Sequence, residues 1–457
     1  MDKVKYIHFI GIGGIGTSSL AQILHEKGKI ISGSDLVKTE ITKSLKLKKI
    51  KISIGHNEKN VNKKHQLIIY SPAIPNSNPE MKKAKSLKIK CLSYPQALGE
   101  LTKKHYTVAI AGAHGKSTTT AMISLIATSA KLDPTVVIGT KLKEFKNQNY
   151  RMGKSNLLII EACEYKRSFL NFEPDILVIT NIEADHLDYY KNIQDYKKAF
   201  KQLIAKIKKN GTVIIDTDDK FSRQAVREAN DLKIIKISGK SKKFHPGIPG
   251  KFNLTNASLA AAAAIELKVP IKTIEKSLKN YHGSWRRMEY KKTKFPHTIF
   301  IDDYGHHPTE VRSTLSAIRE THPDAKILCV YQPHQYSRTK IFLKEFGKSF
   351  YAVDEIIIPD IYDARDYEKG LKTISVDELV KEIKKHQPNV QNGISMEKTA
   401  QYIEKNHKKF DVIVTMGAGD IDKIYKLFID EDEIWDKLAA ENDTKDTKFI
   451  SHKEFWS

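Results

Sequence analysis

Apolar and polar positions in the first hundred residues alternate between short strand-like runs and longer helix-like stretches. Residues 4–10 predict a buried strand, which a glycine-rich turn connects to a helix-like run at residues 17–26. Further predicted strands end at Asp35 and cover residues 67–70. Near-continuous apolar strands that alternate with helices are typical of parallel sheets covered on both faces. The chain therefore opens as a βαβ unit.

A proline-rich segment at residues 71–79 interrupts this pattern. Proline lacks a backbone N–H and restricts φ, so we expect a loop there rather than a helix. We place the first domain boundary beyond this loop, near residue 102.

Two further units repeat the alternation of strands and helices. Strands of the second unit are predicted at residues 107–111, 157–160, 176–179 and 213–215. Strands of the third unit are predicted at residues 298–302, 326–331, 355–359 and 411–416. A strongly helix-forming stretch at residues 256–267 lies between them. The sequence thus predicts an α/β protein with domains at residues 1–102, 103–283 and 284–430, and a polar tail at residues 431–457.

Length and composition agree with several soluble domains. A chain of 457 residues is too long for one ordinary core, and its 40% hydrophobic residues are dispersed in short runs. No run reaches the roughly 20 apolar residues that a membrane span requires. The N-terminus lacks the pattern of a signal peptide, and the three cysteines form neither a CxxC pair nor a disulfide framework. We expect a cytoplasmic protein without a membrane span.

The chain is strongly basic. Lys and Arg number 77 against 54 Asp and Glu, which gives a net charge of +23 and favours anionic ligands. The excess is mainly lysine spread along the chain, without the clustered arginine and aromatic residues of a nucleic-acid surface. We therefore interpret most of it as solvated surface charge and predict no nucleic-acid partner.

A glycine-lysine loop between a predicted strand and a predicted helix carries the clearest chemical signal. Its residues are, in order, Gly112, Ala113, His114, Gly115, Lys116 and Ser117. Backbone N–H groups and the dipole of a helix beginning near Thr118 would favour phosphate, Lys116 would add charge, and Ser117 could hold Mg²⁺. The strict phosphate-loop pattern would place its first glycine at position 110, which is Ile110. The loop predicts a site for ATP or GTP, and its lysine is expected to serve phosphate rather than the core.

Acidic segments follow two other predicted strands of the same unit. Residues 161–164 follow one of them, and residues 181–188 follow the other. The carboxyl ends of parallel strands gather at one edge of a sheet, so these segments should lie beside the phosphate loop. Mg²⁺ prefers oxygen ligands, which makes Glu161 the best carboxylate candidate and His186 a less usual one.

The glycines of the first turn allow an alternative function. The pattern Gly11-x-Gly13-x-x-Gly16 with Asp35 downstream is typical of dinucleotide-binding oxidoreductases. Hydride transfer would leave the lysine loop of the second unit unexplained, so we do not favour it.

Several blocks taken together resemble the Mur ligase family. The matching blocks are residues 11–16, 71–80, 111–120, 161–170, 181–188, 250–257, 302–310, 332–339 and 417–421. Their order and spacing span nearly the whole chain, whereas any single block would be weak.

The resemblance implies a three-domain architecture and a reaction. The N-terminal Rossmann-like domain would bind a UDP-sugar, the central P-loop ATPase-like domain would bind ATP and Mg²⁺, and the C-terminal Rossmann-like domain would close with the amino acid. Tract 303–310 favours the branch of the family that joins L-alanine to UDP-N-acetylmuramate. The lactyl carboxylate would attack the γ-phosphate, and the amine would displace phosphate from the acyl phosphate.

The resemblance also assigns residues to these ligands. Catalytic roles fall to Lys116, His186, His307 and Arg338. ATP would contact the loop, Thr118 and a further set: Asn253, Asn256 and Asp303. One metal would be held by Ser117 and Glu161, and a second by His186. The UDP-sugar would contact Gly11, Gly13, Gly14, Gly16, Asp35 and Ser71. The amino acid would contact Tyr304, His307, His334 and Arg338.

Two alternatives remain open beside this interpretation. A ligase of the same family could attach a preformed peptide to the same nucleotide sugar. A non-catalytic module could instead recognise a partner protein when ATP is bound. The expected partners are small-molecule substrates, and the expected oligomeric state is a monomer or a weak homodimer.

Overall fold

The computed structural model describes residues 3–238, 243–363 and 372–429. Two compact units, Met1–Trp285 and Arg286–Ser457, divide the chain. The first unit contains two sheets and the second contains one, and most strand pairs are parallel. The predicted α/β class is therefore confirmed. The predicted tail at residues 431–457 lies outside the described residues.

A five-stranded parallel sheet in the order β3-β2-β1-β4-β5 forms the N-terminal domain. Its strands are β1 (Tyr6–Ile10), β2 (Ile30–Asp35), β3 (Lys51–Ile54), β4 (Leu67–Tyr70) and β5 (Lys90–Ser93). Its helices are α1 (Ile15–Glu26), α2 (Glu40–Leu47), α3 (Pro79–Ser86) and α4 (Tyr94–Thr102). The β1-α1-β2 succession confirms the predicted βαβ opening.

The central domain has a seven-stranded sheet in the order β12-β11-β10-β6-β9-β7-β8, in which only the β7–β8 pair is antiparallel. The strands are β6 (Tyr106–Ala111), β7 (Thr135–Leu142), β8 (Gln148–Arg151), β9 (Leu157–Glu161), β10 (Ile176–Ile179), β11 (Thr212–Asp216) and β12 (Lys233–Ile237). The helices are α5 (Lys116–Ser129), α6 (Ile193–Ile204), α7 (Lys220–Ala225), α8 (Lys251–Glu266) and α9 (Ile271–Lys279).

The second unit has a six-stranded sheet in the order β13-β14-β18-β15-β16-β17, with an antiparallel β13–β14 edge. The strands are β13 (Glu289–Lys291), β14 (Ile299–Asp303), β15 (Ile327–Tyr331), β16 (Glu355–Ile358), β17 (Val390–Asn392) and β18 (Val412–Met416). The helices are α10 (Pro308–Thr321), α11 (Tyr336–Ile341), α12 (Leu343–Gly347), α13 (Val376–Lys384), α14 (Met396–Asn406) and α15 (Asp422–Tyr425).

Burial on both faces explains the apolar strands of the central sheet. All four residues of β10 are completely buried, because helices cover the two faces of the sheet. Full burial of one such aliphatic side chain contributes about 1.5–3 kcal/mol. In the strand order, β6 lies between β10 and β9, so the segments that follow these three strands meet at one edge.

Three element boundaries differ from the sequence prediction. The loop predicted for residues 71–79 is wrong at its last position, because Pro79 is the first residue of α3 and Asn78 caps that helix. Proline is tolerated there since the first N–H of a helix has no intrahelical acceptor. Helices α5 and α8 begin before Thr118 and Asn256, because their first turns are polar and lack apolar periodicity.

The β7–β8 hairpin connects the two domains of the first unit. The side-chain amide of Asn149 donates to the carbonyl oxygen of Ile15, and the Ser19 hydroxyl donates to the Asn149 carbonyl at 3.1 Å. The Tyr150 hydroxyl donates to Glu26 at the other end of α1. The hairpin therefore contacts α1 along its length. Among the described residues, no helix is long and apolar enough to cross a membrane.

Candidate active site

Two glycines shape the loop between β6 and α5. Gly112 and Gly115 have φ values of 142° and 80°, a region that side-chain-bearing residues rarely adopt. A Cβ at Gly112 would lie 2.0 Å from the Thr180 hydroxyl, and one at Gly115 would lie 2.4 Å from the Asn256 side-chain oxygen. Both glycines are therefore required by close packing as well as by backbone conformation.

Asn181, directly after β10, holds the loop in place. Its side-chain oxygen accepts from the His114 N–H at 3.0 Å, and its side-chain amide donates to the His114 carbonyl at 2.9 Å. Its own carbonyl accepts from the Ala113 N–H at 3.1 Å. The first helical residues after the loop, from Lys116 onward, carry the N–H groups that a helix leaves without intrahelical acceptors. This end of α5 is suited to bind phosphate.

The Lys116 ammonium lies within the loop. It donates to the carbonyl oxygens of Gly112 at 2.6 Å and Ala113 at 3.0 Å. It also contacts both carboxylate oxygens of Glu164, at 3.1 and 3.0 Å. The Glu164 side chain is completely buried and that of Lys116 is 14% exposed. Sequence reasoning did not select Glu164, although it lies in the quoted acidic segment.

This buried pair keeps both of its members charged. Burial alone would lower the pKa of Lys116, but the neighbouring charge of Glu164 raises it above its usual value. Burial would likewise raise the pKa of Glu164, whereas Lys116 and His186 hold it below its usual value. A buried ion pair of this kind is maintained by mutual attraction in a poorly screened environment.

Glu161, the last residue of β9, faces a different partner. Its Oε2 accepts from the Ser117 hydroxyl at 2.8 Å and from the Gly139 N–H at 2.9 Å. A carboxylate and a hydroxyl at the mouth of a phosphate loop are the hard oxygen ligands that Mg²⁺ prefers. Glu161 and Ser117 therefore fit the predicted metal position.

His186 lies beside Glu164. Its φ is 52°, and its Nε2 lies 3.4 Å from Glu164 Oε1 and 3.8 Å from Asp185 Oδ2. The ligand atoms of these three residues all lie within 4.8 Å of one another, so the group could hold a cation. The structure thus joins His186 to a second set of acidic ligands, distinct from the Glu161–Ser117 contact.

Two of the predicted ATP contacts, Asn253 and Asn256, lie on α8. The Asn253 side-chain amide donates to the Pro249 carbonyl at 2.6 Å, and Asn256 donates to Asn253 at 3.4 Å. Asn256 also lies against Gly115, as its distance from a Cβ built there shows. The fold therefore places this pair at the phosphate loop.

The first sheet collects most of the predicted UDP-sugar residues at one edge. Asp35 accepts from the Gly13 N–H at 2.7 Å, and the Ser71 N–H donates to the carbonyl of Ile10 at 2.9 Å. A Cβ on Gly11 would lie 3.0 Å from the Ser71 Cβ. The carboxyl ends of β1, β2 and β4 thus bring together residues that are distant in sequence.

Gly14 and Gly16 have different surroundings at the start of α1. Gly14 is the N-cap residue of this helix. A Cβ on Gly16 would lie 2.8 Å from the Tyr94 ring, so Gly16 permits the close approach of this aromatic side chain. The structure explains Gly16 by packing, and the role of either glycine toward a ligand stays a prediction.

Glu80 is a buried polar centre that sequence reasoning missed. It accepts from the Ser34 hydroxyl and the Asn60 amide, both at 2.6 Å, and lies 3.3 Å from His8 Nε2. Burial would raise the pKa of Glu80, but its hydrogen bonds with His8, Asn60 and Ser34 lower it to about 2. Glu80 therefore joins α3 to β1 and β2 through a charged hydrogen-bond network.

In the second unit, an aromatic row contains two of the predicted amino-acid contacts. The ring centroids of Tyr304 and His306 lie 5.4 Å apart, those of His306 and His334 lie 5.6 Å apart, and His334 stacks on Tyr362 at 5.8 Å. His307, which was also predicted as an amino-acid contact, caps α10 and packs on Phe342, and its contact with the amino acid stays a prediction. His306 therefore occupies the position between Tyr304 and His334, and sequence reasoning missed it.

The remaining predicted residues of the second unit are buried. Asp303 accepts from the N–H groups of Gly305 and Met288, both at 2.8 Å, and burial raises its pKa. Arg338 is only 6% exposed on α11. The predicted ATP contact of Asp303 and the predicted carboxylate contact of Arg338 stay predictions.

Arg286 is a further residue without a sequence assignment. Its guanidinium contacts Asp302 at 3.1 Å and donates to the carbonyls of Gly419 and Gly417 at 2.8 and 2.6 Å. Burial raises the pKa of Asp302 to about 6 despite this cation. Arg286 thus links the start of the unit to the segment after β18.

Comparison with known families matches three consecutive regions of the chain. Residues 6–106 match the Mur ligase family, catalytic domain. Residues 110–243 match the Mur ligase middle domain, and residues 286–419 match the Mur ligase, glutamate ligase domain. The three matches follow the order of the three sheets.

Curated relatives match nearly the whole chain. A UDP-N-acetylmuramate–L-alanine ligase of Clostridium acetobutylicum is 41% identical to this chain. The match covers 94% of this chain and 98% of that ligase. The ligase of the same name from Acetivibrio thermocellus is 39% identical, with 95% of this chain and 97% of the relative covered.

Solved structures show the same fold. A UDP-N-acetylmuramate-alanine ligase of Thermotoga maritima has a TM-score of 0.77 at 24% identity, covering 95% of this chain and 100% of that one. A murein peptide ligase of Psychrobacter arcticus has a TM-score of 0.70 at 21% identity, with 92% and 97% covered. These likenesses confirm the three-domain architecture, and the chain belongs to the Mur ligase family.

Proposed function

We propose that this chain is an ATP-dependent ligase that joins L-alanine to the lactyl carboxylate of UDP-N-acetylmuramate, a step in the synthesis of peptidoglycan precursors. Relatives that carry this name are about 40% identical over 94% of the chain. The observation that carries the proposal is the meeting of Lys116, Glu161 and Ser117 at one edge of the central sheet. This is the donor set that a transferred phosphoryl group and its metal require.

The proposed first step is phosphoryl transfer. The N-terminal end of α5 and the Lys116 ammonium stabilise the γ-phosphate while the lactyl carboxylate attacks it. Glu161 and Ser117 hold Mg²⁺, which when bound supplies positive charge against the phosphate oxygens. An acyl phosphate forms on the lactyl group, and ADP leaves. Positioning and electrostatics supply the catalysis, because little covalent chemistry is needed from the protein.

The proposed second step forms the amide. The alanine amine attacks the acyl carbon, and phosphate leaves with the oxygen that came from the lactyl carboxylate. The proposed contacts of the amino acid are four residues of the second unit: Tyr304, His307, His334 and Arg338. His306 lies between Tyr304 and His334 and is added to them. Arginine suits the carboxylate of the amino acid because the guanidinium can donate two parallel hydrogen bonds.

The nucleotide sugar is assigned to the first sheet. Gly11, Gly13 and Ser71 present backbone at the carboxyl ends of the strands, where phosphate groups bind in such sheets. Asp35 is the proposed partner of the uridine or its ribose. Its hydrogen bond with the Gly13 N–H fixes its direction.

The test is phosphate release resolved by acceptor. Purified protein is given ATP, Mg²⁺ and UDP-N-acetylmuramate, with L-alanine, with tripeptide or with no acceptor. We expect phosphate release above the ATP-only control with L-alanine alone. Faster release with tripeptide would favour peptide attachment, for which the murein peptide ligase of similar fold is the precedent. Phosphate release that no acceptor changes would reject ligation and favour a nucleotide-binding module.

A further inference from the structure

The Lys116 ammonium already uses its full hydrogen-bonding capacity within the protein. An ammonium group has three donor protons. The Lys116 ammonium already has three acceptors: the carbonyl oxygens of Gly112 and Ala113 at 2.6 and 3.0 Å, and the Glu164 carboxylate at 3.0–3.1 Å. A phosphate oxygen can therefore bind this lysine only by replacing one of them.

The carboxylate is the acceptor that can be exchanged. The two carbonyls belong to the loop whose glycine geometry and Asn181 contacts fix it. Glu164 belongs to another segment and is the only anion among the three acceptors. Replacing an anion by an anion preserves the charge around a nearly buried ammonium, whereas replacing a carbonyl would add negative charge to the site.

The backbone of Glu164 is fixed independently of Lys116. The Tyr190 hydroxyl donates to the Glu164 carbonyl oxygen at 2.5 Å, and the preceding Cys163 carbonyl accepts from the Phe169 N–H at 3.0 Å. His186 Nε2 lies 3.4 Å from the Glu164 carboxylate and remains beside it if the lysine turns away. Glu164 thus stays in place on either side of an exchange.

Glu161 and Glu164 differ in what they contact. Glu161 accepts from the Ser117 hydroxyl and the Gly139 N–H, and it is the proposed metal ligand. Glu164 contacts the lysine. We propose that Glu164 is a positioning residue that binds the Lys116 ammonium between turnovers. The transferred phosphoryl group replaces the Glu164 carboxylate on the ammonium during the reaction. Afterwards Glu164 binds the ammonium again, which promotes the release of ADP. The inference rests on the proposed use of ATP.

The test is the affinity for Mg²⁺-ADP, measured by titration calorimetry on the full chain. In Glu164→Gln the competing anion is lost, so we expect ADP to bind about tenfold more tightly, the size of one charge-assisted hydrogen bond. Glu164→Asp retains the charge and is expected to stay within about threefold of the wild type. Glu228→Gln, which breaks an exposed ion pair with Lys201, is the matched control and is expected to change nothing.

The direction of the change in ADP affinity distinguishes a positioning role of Glu164 from structural damage by the substitution. A loss of folding would weaken ADP binding. Unchanged or weaker ADP binding by Glu164→Gln that is folded at the temperature of the titration would overturn the proposal. If Glu164→Gln does not fold, the substitution is examined in the Lys116→Ala background. There the proposal requires the same ADP affinity with and without the Glu164→Gln substitution, and any tightening would overturn it.

The affinity measurement is independent of the amino acid that is ligated. If the wild type binds ADP but releases no phosphate with L-alanine, the proposed ligation fails and the exchange can still be tested. If ligation occurs and Glu164→Gln does not bind ADP more tightly than the wild type, only the proposed exchange of Glu164 for phosphate on Lys116 is rejected.

Discussion

At the scale of single residues, the buried pair of Lys116 and Glu164 combines folding and chemistry. The lysine was expected from its motif to serve phosphate rather than the core, which implied that its removal would leave the fold intact. The structure shows instead that the Lys116 ammonium compensates the negative charge of the completely buried Glu164 carboxylate. The same contact that orients the ammonium also stabilises the central domain.

Lys116→Ala is therefore expected to abolish ATP-dependent turnover and also to destabilise the protein. Removing one partner of a buried pair leaves an uncompensated charge, which costs about 3 kcal/mol. Adding Glu164→Gln to this variant should restore most of the lost stability without restoring turnover. Thermal and urea unfolding of both variants measure the stability. A melting temperature of Lys116→Ala equal to that of the wild type would contradict this expectation.

At the scale of elements, the β7–β8 hairpin connects the central domain to the N-terminal domain within the first unit. Near the middle of β7, the Gly139 N–H donates to Glu161. In β8, Asn149 and Tyr150 bond to the ends of α1, the helix that begins at the glycine-rich turn. One hairpin thus contacts both the proposed metal carboxylate and the helix behind the proposed UDP-sugar turn.

Asn149→Ala tests the docking of this hairpin. The substitution removes one donor to the Ile15 carbonyl, which the hydroxyls of Ser18 and Ser19 still contact at 3.0 and 2.9 Å. The loss is therefore the net contribution of one hydrogen bond, about 1 kcal/mol. We expect the free energy of unfolding to fall by that amount. Glu144→Ala, an exposed residue of the same hairpin connection, is the control and should have no effect. Equal stability of the two variants would show that the hairpin contact is dispensable.

The sequence was sufficient for the residues with a motif and for the strongly apolar inner strands. It did not predict strand β7 or the six edge strands of the three sheets, β3, β5, β8, β12, β13 and β17. Apolar runs identified β6, β9 and β10, and strand-end placement brought Glu161 to the phosphate loop. Glu164 could not be assigned, because its contact with Lys116 depends on the turn that follows β9. His306 and His307 are adjacent in sequence, and only the cap of α10 decides which of them faces Tyr304.

At the scale of the whole molecule, three sheets carry the three groups of proposed ligand contacts. The first unit carries the glycine-rich turn with Asp35 and the phosphate loop with its carboxylates, and the second unit carries the aromatic row around His306. Each group lies at the carboxyl ends of parallel strands, where helix N-termini and loop amides favour anionic groups. Every proposed substrate carries a carboxylate or phosphate, which agrees with the net charge of +23.

The account requires that the lactyl carboxylate itself is phosphorylated before the amide forms. UDP-N-acetylmuramate labelled with ¹⁸O in that carboxylate is incubated with the protein, ATP, Mg²⁺ and L-alanine, and the released phosphate is analysed by mass spectrometry. We predict one ¹⁸O atom in each phosphate and one molecule of alanyl product for each phosphate released. Unlabelled phosphate, or labelled phosphate that is released equally well without L-alanine, would contradict the account.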